Sequence, residues 1–279
     1  MTTPPSPTPL LTLEIVAQLE EARRSGSREL RCSVDLMRST STVVVGQDTW
    51  QCNGATWPWP TTPVRERTIY YWTGSGFEPV QRYSGALIKL VPSQWGAPTF
   101  EIDGIKMLPT AQVSPFDDAQ RKVQLVAPHG KVVLDTCGGL GYFAHWCLDQ
   151  GAARVLSFEK NQDVIWLRSI NPWSPRDDSR LDLKQGDIVE CIKELPTGSV
   201  EAILHDPPRF GIAGELYSQS FYDELARVLK VRGLLFHYTG SPNKLTSGRD
   251  VPREVTKRLE KAGFAVKREG DGLLARRGR

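Results

Sequence analysis

The pattern of apolar positions changes character twice along the chain. Over residues 11–24, Leu11, Leu13, Ile15, Val16 and Leu19 are set among charges, which predicts an amphipathic helix ended by Ser25-Gly26-Ser27. Residues 28–112 then carry short runs of period two or of β-branched residues. Leu30 to Leu36, Ser41 to Val45, Thr68 to Trp72, Ala86 to Val91 and Thr99 to Ile102 are divided by Gly, Pro and Asn, the pattern of a small antiparallel β-domain. A helix opening at Ser114 connects onward. Ser114 suits the N-cap, Pro115 the first helical position, and Asp117 and Asp118 the positive helix end.

From Lys131 the pattern alternates. Strands are predicted at 131–135, 154–159, 181–185, 200–205 and 233–239, and helices at 142–150, 162–170, 188–194, 216–230 and 252–262. Such alternation argues for an α/β fold, a parallel sheet with helices on both faces. Residues 264–268 and 272–276 add two short strands joined by Gly270-Asp271-Gly272. The expected organisation is a disordered N-terminus and helix over 1–27, a β-rich domain over 28–113 and the α/β domain over 114–279.

The most informative stretch is Val132-Val133-Leu134-Asp135-Thr136-Cys137-Gly138-Gly139-Leu140-Gly141. Three apolar residues suit a strand buried on both faces. Asp135 falls at its carboxyl end, where open α/β sheets bind ligands, and the glycines let the backbone turn tightly and approach a ligand. Neither a Walker loop nor a Gly-x-Gly-x-x-Gly dinucleotide fingerprint is present. Three more acidic residues end later strands or open the loops after them: Glu159, Asp187 and Asp206. A carboxylate at Glu159 suits ribose hydroxyls, and one at Asp187 an adenine amino group.

Composition narrows the picture only moderately. A chain of 279 residues with 39% hydrophobic and 24% charged residues supports a sizeable core. A net charge of +3 permits a nucleic-acid partner without requiring one. The five cysteines are scattered without Cys-x-x-Cys or zinc spacing, so no metal is expected and reduced thiols in a cytoplasmic protein are. The Pro/Thr-rich start lacks the basic and apolar regions of a signal peptide, and no apolar run approaches membrane-spanning length. Trp50, Trp57, Trp59, Trp72 and Trp95 crowd the β-domain, either as core or as a platform for stacking bases. Pro172 and Trp173 either end a helix or wall a pocket, and Arg268, Arg276, Arg277 and Arg279 either track phosphates or form a solvated tail.

With these landmarks in order, residues 131–279 resemble a class I S-adenosylmethionine (SAM) dependent methyltransferase domain. The resemblance implies a Rossmann-like sheet of seven strands, the last antiparallel, with helices on both faces. It also implies SAM as cofactor, on Asp135, Gly139, Leu140, Gly141, Glu159, Lys160, Asp187, Ile188 and Asp206. The chain departs from the family in one place: Cys137 stands where the first loop glycine is expected, and Gly138 is added after it.

Asp206-Pro207-Pro208 resembles the Asp/Asn-Pro-Pro-aromatic motif of methyltransferases acting on planar amino groups. There the acidic or amide side chain and the following proline carbonyl accept hydrogen bonds from the target nitrogen. The aromatic position holds Arg209, with Phe210 one residue later. Asp206-Pro207-Pro208-Arg209-Phe210 followed by Gly214-Glu215-Leu216-Tyr217-Ser218 also looks like a poorly described group of microbial methyltransferase-like proteins. Asp206, Pro207 and His205 are the expected catalytic residues, and Pro208, Arg209, Phe210 and Tyr217, with Glu215, the expected substrate contacts. His205 is either a proton acceptor or, by strand alternation, turned to the opposite face.

The leading expectation is methyl transfer to a nitrogen of RNA or of a small amine. A polyamine aminopropyltransferase, which uses decarboxylated SAM, is the alternative. That family also places a small β-domain first, and residues 97–105 faintly resemble its entry segment. Its Asp-x-x-Asp-Pro motif is incomplete here, with Ile203 at the upstream acid. A non-catalytic RNA-binding module on the same fold is the third reading.

Overall fold

A computed structural model of the chain describes residues 8–61, 63–240 and 250–279. Most of the Pro/Thr-rich start expected to be disordered lies outside the described residues. The chain divides into two compact units: one runs up to Phe116 and takes in Ser169–Trp173, and the other comprises Asp117–Arg168 and Ser174–Arg279. The expected boundary at 113/114 is a few residues from this division, and the helix placed with the N-terminus falls in the first unit.

In the first unit, β1 (Leu10–Leu11) leads into α1 (Leu13–Arg24), whose Ile15 amide is capped by Thr12 Oγ1 at 3.4 Å. Three small antiparallel sheets follow. One joins β1, β6 (Tyr70–Trp72) and β7 (Phe77–Pro79); one joins β2 (Glu29–Cys32), β3 (Ser41–Val45), β4 (Thr49–Cys52) and β5 (Ala55–Pro58); and one joins β8 (Gln81–Tyr83), β9 (Leu87–Val91), β10 (Thr99–Ile102) and β11 (Ile105–Lys106). Period-two burial explains the pairing: in β3 and β4 the buried residues Val43, Val45, Trp50 and Cys52 alternate with exposed ones.

The tryptophans are mostly core. Trp50 is fully buried, stacks on Phe77 at 6.3 Å and joins Leu11, Val16, Leu19 and Trp57 in one cluster, against which Trp59 and Trp72 pack. Only Trp95 is exposed, and its indole donates to the Thr110 carbonyl at 3.0 Å. Trp173 donates to the Leu36 carbonyl at 2.9 Å and meets Phe116 edge to face. It is anchored within the first unit.

The second unit is built on one seven-stranded sheet. The strands are β12 (Val132–Asp135), β13 (Arg154–Glu159), β14 (Leu181–Gln185), β15 (Val200–His205), β16 (Leu229–Tyr238), β17 (Phe264–Glu269) and β18 (Gly272–Arg277), in the spatial order β14-β13-β12-β15-β16-β18-β17. β18 runs antiparallel to both its neighbours and the other pairs are parallel. The helices are α2 (Pro115–Val126), α3 (Tyr142–Asp149), α4 (Gln162–Ile170), α5 (Ile188–Cys191), α6 (Gln219–Val228) and α7 (Val251–Lys261). The order of strands reverses between β12 and β15, so their carboxyl ends flank the crevice where such sheets bind ligands.

Two boundaries differ from expectation. The helix predicted over 216–230 is split: a 3₁₀ turn covers Gly214–Tyr217, and Ser218 caps a new helix at the Phe221 amide, 3.2 Å away. β16 begins at Leu229, four residues before the predicted 233, because a bulge containing Arg232 at φ 67° shifts its register against β15. The arginine tail is largely strand, and Arg277 bonds the Leu229 carbonyl.

Trp50→Ala should cost the first unit about 3–5 kcal/mol, the range for emptying a buried aromatic site. Denaturant unfolding followed by tryptophan fluorescence measures this, and a loss under 1 kcal/mol would contradict a core role.

Candidate functional site at the carboxyl edge of the sheet

β12 ends in Asp135, and the chain then turns on glycine. Gly139 and Gly141 take φ of 48° and 82°, the left-handed region that favours glycine. Hydrogen bonds from the Gly138 amide to the Phe158 carbonyl (2.6 Å) and from the Gly141 amide to the Gly138 carbonyl (2.8 Å) hold the turn. Gly138 and Gly141 are required for a second reason. A Cβ at 138 would lie 2.5 Å from Ser157 Oγ, and one at 141 would lie 2.5 Å from Arg168 Nε and 2.8 Å from Pro175 Cδ. The loop therefore rests directly on a floor of buried polar side chains.

That floor is a relay. Arg168 Nη1 donates to Ser157 Oγ (3.2 Å), which donates to Asp135 Oδ2 (2.8 Å). Asp135 is 1% exposed, and burial pushes its carboxyl up to about 6, with Ser157 and Arg168 pulling the other way. Among the described residues, Asp135 Oδ1 and Arg168 Nη2 are buried without a hydrogen-bond partner. Glu159, at the end of β13, accepts the Gly139 amide at 2.9 Å and the Asn161 amide at 2.8 Å. Burial raises its carboxyl, and the Asn161, Gly139 and Lys160 amides together with Arg168 oppose the rise.

Asp187 caps α5 by accepting the Val189 amide at 3.0 Å, and its other oxygen meets Lys160 Nζ at 2.8 Å. Burial would raise this carboxyl, but Lys160 and the Val189 amide more than offset it and hold it below the usual range. The Ile188 and Leu140 side chains are buried, and the Leu140 carbonyl accepts Ser174 Oγ at 2.7 Å.

Asp206 follows β15. Its side chain is 21% exposed, and Oδ2 lies 3.5 Å from the ammonium of Lys122 on α2. Lys122 is almost wholly buried and also meets Asp118 Oδ2 at 2.7 Å and Asp271 Oδ2 at 3.9 Å, with the Tyr238 ring centroid 4.2 Å away. Burial would lower this lysine's pKa, but the Asp206 and Asp118 carboxylates outweigh it and raise it. Asp206 is pulled up by burial and down by Lys122, with a net rise.

The loop after Asp206 is fixed from behind by two residues expected at the site. His205 is fully buried: Nδ1 pairs with Thr136 Oγ1 at 2.7 Å and Nε2 with the Leu216 carbonyl at 3.1 Å. Burial pulls its pKa down to about 3. Both ring nitrogens are occupied, so His205 ties strand to loop. Tyr217, expected to touch substrate, is buried and donates to the Pro208 carbonyl at 3.0 Å. Phe210 sets its ring edge-on to Tyr217 at 5.3 Å, while Arg209 and Glu215 are exposed and Pro207 is buried. Cys137 packs on the core, and burial pushes its thiol well up.

Lys122, Asp118, Asp271, Ser157 and Arg168 were missed by sequence reasoning. Asp118 and Lys122 are spaced four apart on a helix, the usual signature of an exposed ion pair. The one available signal was the buried stripe Phe116, Ala119, Val123 and Val126, which brings position 122 toward the core side of α2.

The donor set fits SAM. Glu159 keeps free lone pairs beyond its two amide bonds, Asp187 is partly exposed, and the glycine loop offers backbone rather than side chains. Among the described residues, no His/Cys/Asp/Glu group is arranged to hold a metal ion, and no helix is long and apolar enough to cross a membrane.

Comparison with known proteins agrees with this geometry. Residues 163–277 match a family model described as S-adenosyl-L-methionine-dependent methyltransferase, a family whose cofactor is SAM. Over 188 residues the chain is 44% identical to the uncharacterized protein MJ1233 of Methanocaldococcus jannaschii, covering 66% of this chain and 64% of that one. It is 34% identical over 89 residues to the polyamine aminopropyltransferase of Xanthomonas campestris pv. campestris, covering 32% of this chain and 30% of that one. The chain thus spans less than two thirds of the curated relatives it matches. A spermidine synthase crystallised with the transition-state analogue AdoDATO shares the fold, with TM-score 0.58 and 18% identity over 71% of this chain and 73% of that one.

Gly141→Ala should destabilise the second unit by about 1–3 kcal/mol through backbone strain and collision with Arg168. A denaturation midpoint equal to that of the unchanged chain would contradict the floor. The histidine gives a pH dependence of definite sign. His205 stays neutral in the fold and protonates freely in the unfolded chain, so stability is lost as pH falls below about 6.5. The loss steepens by up to about 1.4 kcal/mol per pH unit for this one group. His205→Gln, which removes this titrating ring, should reduce the slope between about pH 6.5 and 4 and leave the part due to the equally buried His237.

Proposed function

We propose that the chain is an SAM-dependent methyltransferase that transfers a methyl group to a nitrogen atom, with RNA as the acceptor class we place first. The observation that carries this reading is the run of carboxylates at the carboxyl ends of four adjacent strands. Asp135 and Glu159 frame the glycine loop, Asp187 follows β14, and Asp206 follows β15 across the strand-order reversal. Glu159 and Asp187 would hold the ribose and adenine, with the backbone of Gly139, Leu140 and Gly141 beneath the methionine part. When bound, SAM supplies an electrophilic methyl group on a sulfonium sulfur.

The remaining work falls to Asp206 and its loop. Oδ2 of Asp206 is turned to Lys122, and its other oxygen takes part in no ion pair among the described residues. That oxygen and the Pro207 carbonyl are suited to accept N–H hydrogen bonds, turning the nitrogen lone pair toward the methyl. The carboxylate also offsets the positive charge that grows on the nitrogen during attack. The mildly basic composition and the resemblance of Asp206-Pro207-Pro208 to motifs for planar amino groups favour an RNA acceptor.

Aminopropyl transfer is the second reading, favoured by the likeness to the Xanthomonas enzyme and to the spermidine synthase fold. Two observations weigh against it. Ile203, at the position of the upstream acid, is fully buried in the core. Asp206 also already has a counter-ion in Lys122, which lowers its value as an anchor for a cationic amine.

SAM at about 100-fold over its Kd should stabilise the chain by about 2.7 kcal/mol, read as a thermal shift. Decarboxylated SAM should do less, and the reverse order would transfer the assignment to aminopropyl chemistry. Asp206→Asn should keep SAM affinity within a few-fold while labelled methyl transfer to an RNA fraction falls by about 100-fold. A collapse of SAM affinity instead would make Asp206 a cofactor ligand. RNA binding without any SAM response would support a non-catalytic module.

A further inference from the structure

We propose that Lys122 is a positioning residue for the acceptor site, the internal cation that holds Asp206 ionised with one oxygen turned away from the acceptor and the other left for it. The inference rests on the reading that Asp206 receives the methyl acceptor. It starts from partner counts. Arg121 serves both Asp118 (3.0 Å) and Asp271 (2.7 Å), so each of those carboxylates has a second cation. Among the described residues, Asp206 pairs with Lys122 alone. Removing Lys122 would leave Asp118 and Asp271 sharing Arg121 and leave Asp206 with no cation partner among the described residues.

Asp118, one turn back on the same helix, already meets the ammonium at 2.7 Å. Burying an ammonium this deeply is costly unless several partners compensate it. Those partners come from three separate elements: Asp118 on α2, Asp206 after β15, and Asp271 in the hairpin turn between β17 and β18. The Tyr238 ring at the end of β16 closes the cage with its π face. The cage converges on the point where the Asp206 loop leaves the sheet.

The groups electrostatically coupled to Asp206 come from every side of it: Asp118 and Lys122 on α2, Asp135 and Cys137 at the glycine loop, Tyr217, Tyr238 and Asp271. Of these Lys122 is the one cation. Burial and the acidic neighbours push Asp206 toward protonation, and only Lys122 opposes them. A protonated Asp206 would offer its acceptor a hydroxyl in place of a lone pair and would no longer offset charge on nitrogen.

The test is carbon-13 NMR of the Asp-labelled full chain, with the Asp206 carboxyl assigned by its loss in Asp206→Asn. Lys122→Met should raise the apparent pKa of Asp206 by about 1–3 units, the effect of removing an opposite charge at this range. Lys122→Arg should bring it back to within about one unit of the unchanged chain. An unmoved titration in folded Lys122→Met overturns the proposal. Should Lys122→Met not fold, the unchanged chain still decides. The Lys122 Cε resonance must step at the pH where Asp206 titrates and lose that step in Asp206→Asn, and a flat resonance overturns the proposal. SAM affinity measured by calorimetry on the same samples separates the two readings. Failure of the unchanged chain to bind SAM sinks the methyl-transfer reading, while the titrations still decide the lysine's hold on Asp206.

Discussion

Burial of negative charge at one edge of a sheet is the constraint on which this structure depends. A carboxylate removed from water is tolerated only when hydrogen bonds or opposite charge replace its hydration. The second unit solves this differently at each strand end. Asp135 receives a hydroxyl backed by a buried guanidinium, Glu159 receives two backbone amides, Asp187 receives a helix start and a surface lysine, and Asp206 receives a buried ammonium. Much of the surrounding sequence follows. Gly138 and Gly141 lack side chains because Ser157 and Arg168 occupy that space, and α2 carries Lys122 on its buried side because Asp206 lies opposite. The carboxylates thus shape the scaffold that holds them.

The loop after β15 shows how a flexible-looking sequence is made rigid. Arg209 to Gly214 has exposed stretches, yet its ends are pinned from within. His205 reaches the Leu216 carbonyl, Tyr217 reaches the Pro208 carbonyl, and His237 contacts the His205 ring at 4.4 Å while bonding Tyr222 at 2.9 Å. These side chains are the kind sequence reading assigns to catalysis. Buried as they are, their contacts tie the Asp206-Pro207-Pro208 turn to the loop and strand behind it.

The difference between what was legible and what was not follows from locality. Strands 154–159 and 200–205 could be read to the residue because nearly every position in them is buried, while the edge strand 181–185 showed only the alternation of Leu181 and Leu183 with polar residues. The strand-end acids were legible because the carboxyl end of each strand is fixed once the strand is. The floor beneath the glycine loop was not, since Arg168 lies on a helix whose pattern permits either face. Lys122 was illegible for a sharper reason. Its pairing with Asp118 is local and ordinary, whereas its pairing with Asp206 joins residues 84 positions apart and appears only when α2 packs beside β15. The tryptophans of the first unit were ambiguous because aromatic residues serve core and stacking platform alike, and burial alone separates the two.

Electrostatics then bears on which transfer reaction this edge suits. Both methyl and aminopropyl transfer begin at a sulfonium carbon and build positive charge on an attacking nitrogen, so both gain from a nearby carboxylate. They differ in what the acceptor brings. A polyamine carries a standing positive charge at its remote end and needs carboxylates that are free to hold it. Here Asp118 and Asp271 share Arg121, and Asp206 shares Lys122. A second cation at Asp206 would face the Lys122 ammonium, 3.5 Å from the same carboxylate, in a site where water screens little. An acceptor whose nitrogen is neutral before attack avoids that repulsion and gains the carboxylate only as its charge develops. Stabilisation that grows between ground state and transition state is the kind that accelerates a reaction.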